Sequence, residues 1–359
     1  MNDWRQWMSW EQLKAQWRRQ GPRAVLAKGA SGALAANVAG AALLYLLHVL
    51  LAQVMGTSHY GIFAYVIGWL GMLQFIGMFG LPQTIVRFTG AYRAQGALGA
   101  LRGLLRWADV VALSSSLCVA AAMAATVWLV PRSVFERISP DADELTVTFW
   151  IGVVVLPVMV MKMVRVQSLR AFGGGAMSVT LERTVRPAVM IILLLGAVAV
   201  VGVPIAASLG IVLHLVTFLV VGVVATWLIR RRWPDGLREA TPTYETRPWL
   251  GMALPSIFIA GMSILLNSTD RVMIGSLLNT DLTGIYNAST RTAQLVVFGL
   301  SAVNAMLGPM VSGMHSTGQT KQLQKVLRMA AFGLFAYTAV GSLALIAFGP
   351  WVLRLFGEE

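Results

Sequence analysis

The sequence predicts an all-α, polytopic helical membrane protein made of two pseudo-repeated helical lobes, the second of them incomplete. Three observations carry this expectation. The 359 residues are 57% hydrophobic and only 12% charged, with a mean hydropathy of +0.70, a composition a soluble domain does not show. Apolar segments of roughly 20 residues, the length that crosses a hydrocarbon core, recur about nine times. One phrase also occurs twice, as Met55-Gly-Thr-Ser-His-Tyr-Gly-Ile-Phe63 and as Leu278-Asn-Thr-Asp-Leu-Thr-Gly-Ile-Tyr286.

Each copy of that phrase is followed by a helix, a proline and a basic, leucine-punctuated segment. These are Pro82, Arg87 and Leu101 to Arg106 in the first copy, and Pro309, Lys321 and Leu323 to Arg328 in the second. Aligning Gly61 with Gly284 and Arg106 with Arg328 needs nearly the same offset, so a unit of two membrane helices and an elbow is duplicated in one direction. The expected spans are 31–54, 60–84, 107–130, 145–167, 183–201, 204–229, 250–276, 284–309 and 329–349. Strand-like alternation is absent, which argues against a barrel.

The spans group into a six-helix N-terminal lobe over 31–229, a polar cytoplasmic linker over 230–249 and a partial C-terminal lobe over 250–359. A full second lobe would need three more spans than these residues hold. Ahead of the first lobe, residues 1–30 carry Trp7, Trp10, Leu13 and Trp17 at helical spacing among basic residues. Such a segment suits either the headgroup layer or packing on cytoplasmic loops.

Lys and Arg number 28 against 15 Asp and Glu, a formal charge of +13. That excess falls in alternate loops instead of on one face, which argues against nucleic acid and, by the positive-inside rule, puts the N-terminus in the cytoplasm. Cys118 is the single cysteine, and His48, His59, His214 and His315 lack metal-ligand spacing. No nucleophile and base stand together, so no catalytic residue, metal or cofactor is expected; a coupling ion, H⁺ or Na⁺, is left open. Asp141-Ala-Asp143 imitates the metal-binding DxD of nucleotide-sugar enzymes but lies on the expected periplasmic side, where nucleotide sugars are absent, and Gly173-Gly-Gly175 lacks the Lys-Ser/Thr a phosphate loop requires.

Several phrases resemble a known family: Gly61-Ile-Phe-Ala-Tyr65, Phe79-Gly-Leu-Pro82 with Val86-Arg-Phe88, Asp270-Arg-Val-Met-Ile-Gly275 running on to Gly284-Ile-Tyr-Asn-Ala288, and Phe348-Gly-Pro-Trp-Val-Leu-Arg-Leu-Phe-Gly357. They are similar to the Wzx-like oligosaccharide and polysaccharide flippases, within the multidrug/oligosaccharidyl-lipid/polysaccharide exporter superfamily. The resemblance covers nearly the whole chain. It implies a transporter in the bacterial inner membrane that carries an undecaprenyl-pyrophosphate-linked oligosaccharide to the periplasmic leaflet by alternating access. The partners it implies are that lipid-linked oligosaccharide, membrane lipids and other polysaccharide-assembly proteins.

A carrier of a diphosphate and a glycan needs polar groups and fixed positive charge within the membrane, where each is costly without a use. Asn287, Arg291, Gln294, Ser301 and Asn304 share one face of the eighth helix, and Ser256, Ser263, Asn267 and Asp270 one face of the seventh. Asp270 and Arg291 fall at similar depth, as a neutralising pair or as a site where Arg291 or Arg271 attracts phosphate. Arg87, Arg165, Arg183 and Arg186 are candidates for a cytoplasmic entrance, although setting topology is the plainer reading. Tyr45, His48, Tyr65 and Trp69 suit sugar stacking or core packing.

Two other readings stay open. A drug or cation antiporter of the same superfamily would place unpaired acids in its lumen, whereas Asp270 has arginines beside it. A membrane-embedded sugar transferase or polymerase would need a large outer loop with catalytic residues, and the longest, over 131–144, is short.

Overall fold

The structure, a computed structural model, describes the backbone over 10–316 and 320–357. It describes side chains over 39–357, except at 259–260, 263–264, 267, 298–306, 308–310 and 312–321. The side chains of the Trp-rich segment therefore lie outside the described residues. Among the described residues every regular element is helical.

Helix α1 spans Trp10–Met78, but it is not straight. The Nδ1 of His48 and the hydroxyl of Tyr60 are 3.2 Å apart, whereas twelve residues of straight helix would separate them by about 18 Å. The chain reverses at Gly56, whose φ of 74° is the left-handed conformation that glycine adopts without a Cβ penalty. The membrane-length stretch Ala39–Met78, 40 residues long, is thus two arms, matching the first two expected spans. The second arm ends sooner than the expected 60–84. Phe79 and Gly80, at φ 45° and 67°, stop it at Met78, and Pro82 opens a separate helix α2, Leu81–Gln95. Proline suits a first turn because its missing N–H would have no helical partner there.

The remaining elements follow in order: α3 (Leu98–Leu129), α4 (Arg132–Ile138), α5 (Ala142–Ala171), α6 (Gly175–Thr180), a π-helical turn (Leu181–Val185), α7 (Arg186–Val201), α8 (Ala207–Arg230), α9 (Thr246–Leu277), α10 (Thr280–Ser316) and α11 (Thr320–Leu353). Caps explain several boundaries. Asp141 starts α5 by accepting the Glu144 N–H at 2.9 Å, Glu144 in turn accepts the Ser208 N–H at the start of α8, and Asn279 starts α10 by accepting the Leu282 N–H. Among the described residues six stretches are long and apolar enough to cross a membrane. Helices α9 and α10, at 32 and 37 residues, have the length to cross, and they are the helices that carry the polar stripes.

The helices form two compact units, 43–293 with 348–359 and 1–42 with 294–347. In the smaller unit α10 and α11 touch where the Tyr337 hydroxyl donates to the Leu295 carbonyl at 3.3 Å. The larger unit is built on the second arm of α1, whose Phe63, Val66 and Leu70 are sealed against Leu145, Leu156 and Ile211 of α5 and α8.

Two features of the larger unit position the site. The first is a close approach of the duplicated phrases. A Cβ on Gly61 would run into the Thr280 carbonyl, and a Cβ on Gly284 would stand 3.2 Å from the Thr57 carbonyl and 3.0 Å from the Gly61 Cα. Thr57 precedes Gly61 by the same four residues that separate Thr280 from Gly284, so the repeats meet about a local two-fold.

The second feature is the linker, which lies strapped across the elbow between α2 and α3. The Thr243 N–H donates to the Gly99 carbonyl at 3.0 Å and Arg102 Nη1 to the Ala240 carbonyl at 2.7 Å. Tyr92 donates to Glu245 Oε2 at 2.6 Å and accepts from the indole of Trp249, which is fully buried, at 2.9 Å.

Candidate functional site

The two-fold contact draws α9 and α10 onto the second arm of α1. Gly68 and Gly71 admit Val272 and Ser268 of α9, and Gly275 lies where a side chain would strike the Tyr65 ring. Tyr65 in turn shares a hydrogen bond with Ser276 at 2.8 Å. Glycine at these positions lets the backbones approach, as at many membrane helix crossings.

Just beyond Gly61 and Gly284, a chain of polar groups enters the protein interior. Asn287 Nδ2 donates to the Tyr60 hydroxyl at 2.8 Å, and that hydroxyl shares a further hydrogen bond with His48. Tyr60 and Asn287 are each only 2% exposed. Buried polar groups persist where they satisfy one another, and here one tyrosine ties both arms of α1 to α10.

Positive charge gathers around this chain. Arg291, one helical turn beyond Asn287, is close enough to act electrostatically on His48, as are Arg271 and Arg186. Arg186 comes from the start of α7 and is placed there by the π-helical turn, a feature frequent at functional sites. In that turn Glu182 takes Lys162 Nζ of α5 at 2.8 Å and faces Arg186 Nε at 3.7 Å. Lys162 is 5% exposed and its ammonium also lies 5.0 Å from the Phe218 ring centroid. Asp270 is exposed and accepts from the Tyr286 hydroxyl at 2.9 Å. Lys162, Arg186, Arg271 and Arg291 thus stand against Glu182 and Asp270, leaving the region net positive.

The expected site residues fall as follows. Asn287, Arg271 and Arg291 come together around Tyr60, with Asp270 at the edge. Gln294 is exposed at the start of the smaller unit, and the side chains of Asn267 and Asn304 lie outside the described residues. Of the four entrance candidates, Arg165 holds Asp109 with two nitrogens at 2.8 and 3.0 Å, Arg87 reaches the sulfur of Met252 at 3.4 Å, and Arg183 is exposed. Arg186 sits among the interior charges. Of the ring candidates, Tyr65 and Trp69 line a cavity of about 440 Å³ with Phe135 and Phe149, and Tyr45 meets Phe356 edge-on at 5.6 Å.

The helices, six of whose described stretches are long and apolar enough to cross a membrane, define a multi-pass membrane protein. A solved structure titled as the inward-facing conformation of a multidrug resistance MATE family transporter of the MOP superfamily superimposes with a TM-score of 0.68. It covers 87% of this chain and 71% of its own at 15% identity, and so speaks for the fold alone. The chain belongs to the polysaccharide biosynthesis protein family, whose sequence model matches residues 26–315. None of the curated proteins matches it.

Proposed function

We infer that this exporter-type protein is a flippase: it moves a lipid-linked oligosaccharide, carried on undecaprenyl pyrophosphate, from the cytoplasmic to the periplasmic leaflet of a bacterial inner membrane by alternating access, with its N-terminus in the cytoplasm. The observation that carries the reading is that Arg186, Arg271 and Arg291 all act electrostatically on His48, a buried residue linked through the Tyr60 hydroxyl to Asn287. Guanidinium groups bind phosphate oxygens bidentately, and net positive charge in a membrane interior is expensive unless an anion uses it.

A drug or cation antiporter is the second reading, since the structurally similar transporter is titled a multidrug resistance protein. A cationic cargo calls for acids without partners. Here Asp109 and Glu182 lie in ion pairs and Asp270 accepts from Tyr286, which favours an anion.

The test is export of surface polysaccharide, or flipping of a lipid-linked sugar in proteoliposomes. Arg291→Lys keeps the charge but loses the fork, so partial activity is expected; Arg291→Gln should abolish it. The double variant Asp270→Asn/Arg291→Gln, at wild-type membrane level, controls for stability. Normal export by that variant would sink the proposal.

A further inference from the structure

On the side of Lys162 where α3, α5 and α8 meet, these helices enclose a cleft of about 590 Å³ that the exposed Val223 and Trp227 border. Phe218, Gly222, Thr226 and Arg230, four residues apart, line it from α8 with Val223 and Trp227 beside them, a spacing that makes them one face. Gly222 opens the cleft, because it leaves only the Lys162 stem opposite it. Thr226 turns its hydroxyl back onto the Gly222 carbonyl at 2.7 Å, so the wall asks nothing polar of an occupant. Behind the cleft Val160 and Val164 of α5 and Val221 and Ala225 of α8 are fully buried. An occupant therefore lies along the helix and does not pass inward.

The two ends of the cleft differ in charge. Arg165 and Lys162 also line it, but Asp109 and Glu182 neutralise them. Arg230 is exposed and makes no ion pair among the described residues, and the exposed Arg231 stacks at 3.7 Å on Trp227, which is 50% exposed. Tryptophan and arginine together mark the level of the headgroups. From Arg230 to Phe218 the α8 wall rises about 18 Å at 1.5 Å per residue, close to one leaflet of a hydrocarbon core roughly 30 Å thick. We propose that this cleft is a binding site for one anionic phospholipid of the surrounding bilayer, its acyl chain laid along α8 and its phosphate held by Arg230 and Arg231. Charge complementarity selects the lipid class, since a zwitterionic headgroup brings no net charge to two exposed guanidiniums. The inference is independent of what the protein transports.

The full chain, reconstituted in nanodiscs with equal phosphatidylethanolamine and phosphatidylglycerol and released into a native mass spectrometer, tests the proposal. Wild type should retain one phosphatidylglycerol in preference to phosphatidylethanolamine. Each arginine near an anionic headgroup is worth about fivefold, so Arg230→Gln/Arg231→Gln should lower that retention more than tenfold. Val223→Trp, at an exposed cleft position, should block both lipids. Equal retention of the two lipids by wild type, or unchanged phosphatidylglycerol retention in either variant, would overturn the site. So would displacement of phosphatidylglycerol by a polyprenyl phosphate, which would assign the cleft to another lipid. A second measurement needs no variant: phosphatidylglycerol with a photoreactive acyl chain should cross-link wild type within 218–227, and cross-links confined to other helices would reject the placement.

Discussion

Gly61 and Gly284, the matching glycines of the two repeats, pack against each other, with a Cβ on Gly284 standing 3.0 Å from the Gly61 Cα. Each also faces the carbonyl that lies four residues before the other, so the contact is isologous in the way a symmetric dimer interface is. Gly61→Ala has to displace the Thr280 carbonyl and should destabilise by about 1–3 kcal/mol, the usual cost of overpacking. Gly90→Ala, on α2 with open space around it, should instead be neutral or stabilising by up to about 1 kcal/mol. Thermal midpoints of the purified proteins in detergent compare the two; equal shifts would contradict the contact.

Tyr60 satisfies Asn287 and His48 at once. Tyr60→Phe keeps the ring and strands two buried polar groups, so a loss of about 1–3 kcal/mol is expected. Tyr60→Phe/Asn287→Leu should lose less than the two single changes added, because the stranded amide is gone. Additive midpoints in that cycle would show that the bond contributes nothing.

Glu182 lies between Lys162 and Arg186, and the three do not respond alike to truncation. Glu182→Gln leaves Lys162 buried without its counter-charge, a cost of about 3–5 kcal/mol. Lys162→Met leaves Glu182 facing Arg186 and should cost less; Lys162→Met/Glu182→Gln should recover part of the Glu182→Gln loss. Yield of folded protein and thermal midpoint read this order, and a Lys162→Met variant less stable than Glu182→Gln would reverse it.

Tyr92 carries a pH signature. Burial and its hydrogen bond to Glu245 hold the phenol protonated above its usual range, while the Trp249 indole works the other way. A folded pKa above the unfolded value near 10 gives stability that is complete below pH about 10 and lost as pH rises through the folded value. Wild type should therefore be more stable than Tyr92→Phe at pH 8 by about 1 kcal/mol, and their thermal midpoints should converge above pH about 10. A difference that persists unchanged into alkali would remove Tyr92 as its source.

Orientation is open to labelling. In a Cys118→Ser background, cysteines at the exposed positions Ser133 and Leu278 should react with an impermeant thiol reagent in intact spheroplasts, and one at Gln95 should not. The reverse pattern would place the N-terminus outside.

Hydropathy made the spans legible, because a membrane helix announces itself by length and apolarity alone. The repeat was equally legible through Gly61 and Gly284, although nothing in one sequence says that matching copies touch. Turns were harder to read: Pro82 looks like the end of a span until Phe79 and Gly80 are seen to stop the helix first. Partnerships across helices were hidden for a physical reason. Lys162 and Glu182 are twenty residues apart, on either side of the α5–α6 turn, and Glu182 lies in a π-helical turn whose register no periodicity argument anticipates. Arg186 reads as a loop cation from its place in the chain, and nothing in that place tells of its approach to Glu182 or its electrostatic effect on His48. Tyr60 carries no sequence signal beside more conspicuous rings, because its importance lies in one hydroxyl.

The strap from Ala240 to Trp249 changes what the connection between the halves of the sequence transmits. A slack tether would let α9 shift without consequence for the first half. With Thr243, Glu245 and Trp249 bonded to Gly99 and Tyr92, the start of α9 is geared to the α2–α3 elbow, and a displacement of either is delivered to the other. Under the proposed function, motion then has to turn about that coupling as a fixed fulcrum or break it in every cycle.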